Sequence, residues 1–322
     1  MLKSVASVAE GVKLHQETTE LLKQSGFRLT KWLSTHREVL ADIPEVERAT
    51  SLQAIDLDDS SLPSESALGL KGNVELGAFI YEVDLPEKPL TKRGLLSMTS
   101  SLYDPLGFVG PVVLVPKLIQ QELGRQQLDW DDKIPETLAD EFGEWLQEVG
   151  ALTRLKIERC FKPCTNRKDE PQIELHTFSD ASEFNYGAAA YTKVTSECGS
   201  RVALVIGKSR VAPLKVMSIT RLELTTAVVA AKLHKFIFVE LDQKQAASYF
   251  WTDNMTVLSY LSNTAKRFKI FVAHRVDIIH HLTKRCEWNY VPSALNPVDL
   301  ASGGVKPQDA EKLEVWLNGP DV

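Results

Sequence analysis

Residues 173–180 read Ile173-Glu-Leu-His-Thr-Phe-Ser-Asp180, an apolar-rich run that predicts a β-strand with an acid at its end. Two further strands are predicted over 186–194 and 201–211, and a long apolar stretch over 219–241 predicts a helix. A fourth strand over 247–252 and further helices follow. This order of elements predicts an α/β fold in which helices cover both faces of a mixed sheet.

Four acids fall at or near the ends of these predicted elements. Asp180 ends the first strand, Glu223 lies one turn into the long helix, Asp253 follows the fourth strand and Asp299 begins a last helical turn. Carboxylates that converge repel each other by about 4 kcal/mol per pair at ~4 Å and an effective dielectric constant of ~20, and a divalent cation removes that repulsion. Mg²⁺ prefers carboxylate oxygens, and two such ions roughly 3.5–4 Å apart can activate a water against a phosphodiester. We therefore predict a catalytic site in which the four acids hold two Mg²⁺ ions, with Mn²⁺ as the alternative ion.

Each acid also has a local structural explanation. Thr220-Arg-Leu-Glu223 has the pattern of a helix capping box, and Asp253-Asn254 could cap the helix predicted after it. Asp180-Ala-Ser could form a turn, and Asp299 could be a first-turn acid that favours the helix dipole. The local sequence leaves these structural roles open beside the metal site.

The two halves of the chain differ in charge. The whole chain has a formal net charge of −6, which argues against a dedicated nucleic-acid-binding protein. Residues 171–322, however, carry 17 Lys or Arg against 15 Asp or Glu, and four of those acids are the predicted metal ligands, so the remaining surface is basic. A cluster of cations before and within a predicted helix is expected to contact nucleic-acid phosphates, the alternative being a solvated basic stretch. These cations are Lys266, Arg267, Lys269 and Arg275.

Other features limit the location and the organisation of the chain. It contains no apolar run long enough to span a membrane, so no membrane partner is expected. Charged residues interrupt positions 1–20, which excludes a secretory signal there and predicts a cytoplasmic or nuclear protein. Residues 165–172 contain no large apolar side chain and predict a linker.

The most specific sequence signal is a set of four strings that surround the four acids. They are Thr177-Phe-Ser-Asp180-Ala-Ser, Arg221-Leu-Glu223-Leu, Phe250-Trp-Thr-Asp253-Asn and Asn296-Pro-Val-Asp299-Leu-Ala-Ser302. This set resembles the ribonuclease H motifs of BEL/Pao-type LTR retrotransposon polyproteins. Upstream, Lys92-Arg-Gly-Leu-Leu-Ser97 and Leu102-Tyr-Asp-Pro-Leu-Gly-Phe108 look like the region between the polymerase centre and the ribonuclease H of that family. The resemblance covers nearly the whole chain.

The resemblance implies both a division of the chain and an activity. Residues 1–90 would be the residual α+β end of a reverse transcriptase palm, 91–164 a helical thumb or connection-like region, 165–172 a linker and 173–322 a ribonuclease H-like domain. The implied activity is metal-dependent cleavage of the RNA strand of RNA–DNA hybrids. The implied partners are such a hybrid or another duplex nucleic acid, and the remainder of a retroelement polyprotein.

Departures from the family pattern keep a second interpretation open. The Tyr-x-Asp-Asp turn of a reverse transcriptase is not present, and Asp56-Leu-Asp-Asp59 lacks the aromatic residue, so we expect no DNA synthesis. The chain also lacks an Asp-Thr/Ser-Gly loop, which excludes an aspartic peptidase. Tyr290 stands where family members often carry a histidine. The alternative function is therefore that of a catalytically silent, nucleic-acid-binding retroelement remnant or host-adopted copy.

Overall fold

The computed structural model describes most of the chain, namely residues 5, 7–52, 64–67, 70–73, 77–160, 171–197, 199–241, 246–264 and 267–320, with only the backbone over 64–67. The chain divides into two compact units, Met1–Glu82 with Thr153–Cys160 and Val83–Leu152 with Phe161–Val322. Three sequence predictions fall outside the described residues: Lys266, the string over 56–59, and all but the last two residues of the linker. None of the described helices is both long enough and apolar enough to cross a membrane.

The first unit contains helices and a small sheet. Helix α1 (Val8–Gln24) begins after Ser7, whose hydroxyl accepts from the N–H of Glu10, and it ends before Gly26, whose φ of +78° lies in the left-handed region. Helix α2 (Arg37–Asp42) packs against α1. The strands β1 (Ser64–Ala67), β2 (Leu70–Asn73), β3 (Ala78–Ile80) and β4 (Lys156–Glu158) pair in this order, each antiparallel to the next.

The second unit is built on a five-stranded mixed sheet. Its strands are β5 (Gln172–Ala181), β6 (Asn185–Ser196), β7 (Gly199–Val211), β8 (Ala247–Thr252) and β9 (Trp288–Tyr290), in the order β7-β6-β5-β8-β9. The pairs β7–β6 and β6–β5 are antiparallel, whereas β8 runs parallel to β5 and β9 parallel to β8. The predicted mixed sheet is therefore confirmed.

Helices cover both faces of this sheet, as predicted. The helices of this unit are α3 (Lys92–Ser101), α4 (Gly110–Arg125), α5 (Glu136–Glu148), α6 (Ile219–Glu240), α7 (Met255–Ser262), α8 (Ile270–Leu282), α9 (Asp299–Gly303) and α10 (Ala310–Asn318). On one face α6 packs against β5 and β6, and α8 packs against α6. Ala188 and Ala190 of β6 share a buried cluster with Ala227 and Ala231 of α6, and these small side chains let the helix lie close to the sheet.

The loop before α4 approaches β7 so closely that both segments have a glycine at the contact. Gly107 has a φ of +74°, and a Cβ atom there would overlap the carbonyl oxygen of Gly207. The N–H of Gly207 donates to the carbonyl of Leu106 at 2.8 Å, and the indole N–H of Trp316 donates to the carbonyl of Gly107 at 3.2 Å. The helices α4 and α10 both contact β7. This part of the predicted thumb-like region thus lies against the sheet within one compact unit, and the predicted domain boundaries stay predictions.

Candidate metal centre

Three of the four predicted acids converge at one edge of the sheet. Because β5 and β8 are parallel neighbours, their carboxyl ends meet at the same edge, with Asp180 near the end of β5 and Asp253 directly after β8. Leu222 lies in a buried cluster with Ala212, which fixes the first turn of α6 above this edge. The next residue, Glu223, completes the group. One carboxylate oxygen from each of Asp180, Glu223 and Asp253 lies within 4.8 Å of the other two.

The structure does not use these three acids as caps or turns. The N-cap residue of α6 is Ser218, and its cap has no side-chain hydrogen bond, so Glu223 is not part of a capping box. Asn254 rather than Asp253 caps α7, because its Oδ1 accepts from two backbone N–H groups of the first turn. Asp180 lies within β5 rather than in a turn. The capping-box explanation of Glu223 and the turn explanation of Asp180 are therefore wrong. The cap expected at Asp253-Asn254 is present, but Asn254 forms it and Asp253 does not.

The environment of Asp180 disfavours its charged form. Burial is the largest cause, the charges of Asp253 and Asp299 add to it, and the pKa of Asp180 is raised to about 6. The hydroxyl of Ser302 donates to Oδ2 of Asp180, and this hydrogen bond acts in the opposite direction by lowering the pKa. The carboxylate is therefore held in one orientation while its charge stays unfavourable.

Glu223 is affected in the same direction and more strongly. Burial is again the largest cause, followed by the charges of Asp180 and Asp253, and the pKa of Glu223 is raised to about 8. Hydrogen bonds from the backbone of Ala181 and the side chain of Asn254 lower the pKa but do not offset the burial. At neutral pH and without a cation, Glu223 is therefore mostly protonated.

Two oxygens of this group have no hydrogen-bond partner in the part of the chain that the structure describes. They are Oε2 of Glu223 and Oδ1 of Asp253, and both are buried. The other oxygen of Asp253, Oδ2, accepts from the hydroxyl of Ser293 at 2.6 Å. Buried polar atoms in folded proteins are almost always paired, so two unpaired carboxylate oxygens in one group of acids indicate a cation site. A donor set made of carboxylate oxygens fits a hard divalent cation such as Mg²⁺.

A comparison with protein families identifies the relationship of the chain. The family model described as the Pao retrotransposon-like RNaseH-like domain matches residues 91–254, about half of the chain. The chain belongs to this family. The match includes Asp180, Glu223 and Asp253, and it confirms the predicted retrotransposon origin and the predicted class, a ribonuclease H-type hydrolase. No curated protein sequence matches the chain.

Among solved structures, the chain is similar to RNase H1 from the halophilic archaeon Halobacterium salinarum NRC-1, with 14% identity, 43% of this chain and 98% of that chain covered, and a TM-score of 0.28. It is also similar to LC11-RNase H1 in complex with an RNA/DNA hybrid, with 13% identity and a TM-score of 0.27. That match covers 39% of this chain and 88% of LC11-RNase H1. A third similar structure is the foamy viral protease-reverse transcriptase in complex with dsDNA, with 12% identity and a TM-score of 0.43. That match covers 74% of this chain and 46% of the viral chain.

The fourth acid predicted for this Pao-type domain, Asp299, lies beside the group of three. It is exposed and opens α9, and it contributes by its charge to the raised pKa of Asp180. Asn296 connects this segment to the sheet, because its Nδ2 donates to the carbonyl of Ser179 at 3.1 Å and its Oδ1 accepts from the N–H of Val298 at 3.2 Å. The role of Asp299 as a metal ligand stays a prediction.

Sequence reasoning did not single out the polar residues that support the acids. They are Ser302 at Asp180, Ser293 at Asp253, Asn254 at Glu223, and Asn296 in the segment before Asp299. Three of them, Asn254, Asn296 and Ser302, belong to the motif strings, but nothing in the sequence indicated that they support the acids. Ser293 lies outside every string, and no local pattern indicates that it contacts a carboxylate.

The predicted phosphate contacts lie at and within α8. Lys269 is the N-cap residue of this helix, and Arg267 precedes it. Arg275 lies on α8 itself and uses its guanidinium within the protein, donating from Nε to Thr225 Oγ1 at 3.1 Å and from Nη1 to the carbonyl of Phe271 at 3.2 Å. Contact between nucleic acid and any of these cations stays a prediction.

Proposed function

We propose that this Pao-type chain is a metal-dependent endoribonuclease that cleaves the RNA strand of RNA–DNA hybrids. The observation that carries the proposal is the group formed by Asp180, Glu223 and Asp253, in which one carboxylate oxygen of each residue lies within 4.8 Å of the other two. Two buried oxygens of this group, Oε2 of Glu223 and Oδ1 of Asp253, have no partner among the described residues. Such an arrangement is costly in a protein that does not bind a cation. Membership of a ribonuclease H-like family connects this group of acids with phosphodiester hydrolysis.

In this proposal Asp180, Glu223 and Asp253 hold Mg²⁺, and Asp299 is the fourth ligand of a two-ion site for which Mn²⁺ is a substitute. Bound divalent cations supply an activated water and charge stabilisation at a phosphodiester. The protein contributes the orientation of the ligands: Ser302 fixes Asp180, and Ser293 fixes Asp253. Because the Ser293 hydroxyl donates to Oδ2 of Asp253, Oδ1 of Asp253 is left to face a cation.

In this proposal, cation binding is coupled to the loss of a proton from Glu223. Its pKa of about 8 means that the carboxyl is largely protonated at neutral pH in the metal-free protein. Binding of a divalent cation therefore requires that Glu223 release its proton, so cation affinity rises with pH up to about 8. The Nδ2 group of Asn254 favours the ionised form of Glu223 and keeps its carboxylate directed at the group.

The proposal is tested with the purified chain and a hybrid whose RNA strand carries a 5′ label. Wild type, Asp253→Asn and the control Asp140→Asn are compared in Mg²⁺ and in EDTA, and the labelled products are resolved by electrophoresis. Asp140 is an exposed acid of α5 and lies outside the group. We expect RNA-strand cleavage in Mg²⁺ for wild type and control, and a loss of about 10³-fold or more for Asp253→Asn, because the cations are the catalytic groups.

Two results would contradict the proposal. Equal cleavage by wild type and Asp253→Asn would show that the nuclease is not this site. Tight binding of the hybrid without cleavage in Mg²⁺ or Mn²⁺ would support the silent, nucleic-acid-binding alternative, for which the exposed Tyr290 next to the end of β8 is the structural argument.

The remaining expectations about partners belong to the same proposal. An RNA–DNA hybrid or another duplex nucleic acid is the proposed ligand, and the remainder of a retroelement polyprotein is the proposed protein partner. A cytoplasmic or nuclear location follows from that substrate class, since hybrids arise where retroelement RNA is copied.

A further inference from the structure

Two arginines stack on a single phenylalanine where α6 and α8 cross. The Cζ atom of Arg221, in the first turn of α6, lies 5.2 Å from the centroid of the Phe271 ring. The Cζ atom of Arg275, on α8, lies 3.4 Å from the same centroid. We refer to Arg221, Phe271 and Arg275 as the arginine clamp.

Backbone and side-chain hydrogen bonds fix the geometry of the arginine clamp. Thr225 lies one turn after Arg221 on α6, and its hydroxyl donates to the Arg221 carbonyl at 2.7 Å. The same Thr225 oxygen accepts from Nε of Arg275 at 3.1 Å. Phe271 lies one turn before Arg275 on α8, and its carbonyl accepts from Nη1 of Arg275 at 3.2 Å. The Arg275 guanidinium is therefore held rigidly through Nε and Nη1, and Nη2 makes no hydrogen bond with the described residues.

The arginine clamp carries two positive charges, those of Arg221 and Arg275. Within the described part of the chain, no carboxylate forms an ion pair with Arg221 or Arg275. Arg221 is exposed, and Arg275 is half-buried. Stacking on an aromatic ring leaves the N–H edges of the exposed Arg221 guanidinium available, and those edges match the oxygens of a phosphate. Arg275 already donates from Nε and Nη1 within the protein, so it contributes its charge and Nη2. The two guanidiniums on one ring therefore form a preorganised site for an anion, with Arg221 as the main donor.

The position of the arginine clamp relates this anion to the three acids. Arg221 and Glu223 belong to the same helical turn, with Glu223 buried toward Asp180 and Arg221 exposed on the other side of the turn. A nucleic-acid strand whose reacting phosphodiester lies at the acids has its neighbouring phosphates a few ångströms further along. We propose that the arginine clamp binds one of these neighbouring backbone phosphates and thereby sets which phosphodiester reaches the acids. The identity of the ligand as nucleic acid rests on the proposed function.

The proposal is tested by binding rather than by turnover. A fluorescein-labelled RNA–DNA hybrid is titrated with the whole chain in EDTA, and anisotropy is measured over a range of salt concentrations. We expect Arg221→Ala to weaken binding by about fivefold to twentyfold and to reduce the slope of log K against log[salt] by about 0.9, the value for one lost phosphate contact. Because Arg221 is exposed, its removal leaves the fold intact, which a thermal melt checks.

Two further variants separate the arginine clamp from general charge. Arg159→Ala removes another arginine that stacks on a phenylalanine, Phe79 in the first unit at 5.8 Å, and we expect it to leave affinity and salt slope unchanged. Phe271→Leu retains both charges but removes the ring, and we expect an affinity loss of about twofold to fivefold with the salt slope retained, because the guanidiniums are no longer preorganised.

The outcomes distinguish this proposal from the proposed function. If wild type cleaves the hybrid but Arg221→Ala binds with unchanged affinity and salt slope, the arginine clamp is refuted and the nuclease stands. If wild type binds without cleaving and Arg221→Ala weakens that binding as described, the arginine clamp stands and the nuclease is refuted. A salt slope that changes equally in Arg221→Ala and Arg159→Ala would also refute the arginine clamp.

Discussion

The stretch of β5 from Leu175 to Asp180 has buried polar groups at its two ends that are satisfied to very different degrees. Beside Leu175 and Thr177, which we call the histidine end, both ring nitrogens of His234 are paired within the protein. At the other end, Oε2 of Glu223 and Oδ1 of Asp253 have no partner in the described residues. His234 and Glu223 both lie on α6, about three turns apart and therefore on the same face of the helix. Helix α6 and strand β5 thus both contribute to two polar groups, one around His234 in which both ring nitrogens are paired and one around Glu223 in which oxygens remain unpaired.

At the histidine end the hydrogen bonds form a closed set. Nδ1 of His234 lies 2.9 Å from the Thr177 hydroxyl, and Nε2 lies 2.9 Å from the Ser248 hydroxyl. Burial and the neighbouring His176 lower the pKa of His234 to about 4, so the ring stays neutral. The indole N–H of Trp251 donates to Nδ1 of His176 at 3.1 Å. A buried histidine with every polar atom paired has a structural role.

The difference teaches how to separate structure from function among buried polar residues. Burial shifts the pKa at both ends of this stretch, so a shifted pKa alone does not identify a ligand site. What distinguishes the acid end is that like charges meet and that oxygens remain unpaired. Around His234 the protein pairs its own polar atoms, whereas at the acids it leaves carboxylate oxygens that a cation can bind.

The largest expected effect on stability comes from neutralising Glu223, whose Oε2 has no partner in the described residues. The pKa of Glu223 rises from its ordinary 4.5 to about 8 on folding, so its contribution favours the folded state below pH 4.5 and is lost as the pH rises through 8. We expect Glu223→Gln to raise the free energy of unfolding in EDTA at pH 8 by about 3 kcal/mol. Urea denaturation at pH 5 and pH 8 measures this change.

The control for this variant is Glu240→Gln, which changes an exposed acid at the other end of α6. It should leave the stability within about 0.5 kcal/mol of wild type. Metal-free wild type that becomes more stable between pH 6 and pH 8 would contradict the raised pKa of Glu223, which requires a loss of stability over that interval.

A somewhat smaller effect, of opposite sign, is expected at the histidine end. His234→Ala leaves the Thr177 and Ser248 hydroxyls without their partner and removes a ring that packs 4.4 Å from the Phe250 ring. We expect a loss of about 2–3 kcal/mol of unfolding free energy at pH 7.5.

Mg²⁺ should raise the melting temperature of His234→Ala by as much as it raises that of wild type, because this residue does not contact the acids. The exposed His281→Ala is the matched control and should behave as wild type in both measurements. A loss of the Mg²⁺ effect in His234→Ala would mean that the hydrogen bonds of His234 and the three acids form one coupled network.

The smallest effect is expected from the hydroxyl that orients Asp180. Ser302→Ala removes the hydrogen bond to Oδ2 and leaves the carboxylates in place. We expect Mn²⁺ affinity, measured by isothermal titration calorimetry, to fall by about tenfold, as is typical for a residue that orients a metal ligand. Ser259→Ala, an exposed serine on α7, is the control. Unchanged affinity in Ser302→Ala would show that burial alone orients Asp180.

Much of the second unit followed from local patterns. The periodicity of residues 173–252 predicted β5 to β8 and α6 within a few residues of their observed bounds. The capping interpretation of Glu223 did not hold, because the buried cluster around Leu222 turns this side chain toward Asp180 instead of the helix end. A local pattern cannot show which way a first-turn side chain points when tertiary packing decides it.

The sequence by itself determined that the chain belongs to a ribonuclease H-like class and that acids stand at the ends of its strands, because strand and helix periodicity and the motif strings are local properties. Only the tertiary structure decided which carboxylates meet, which of their oxygens stay unpaired, and that Arg221 and Arg275 share the Phe271 ring. These contacts join residues far apart in the chain, and they exist only because the parallel pairing of β5 with β8 and the packing of α8 on α6 bring those residues together.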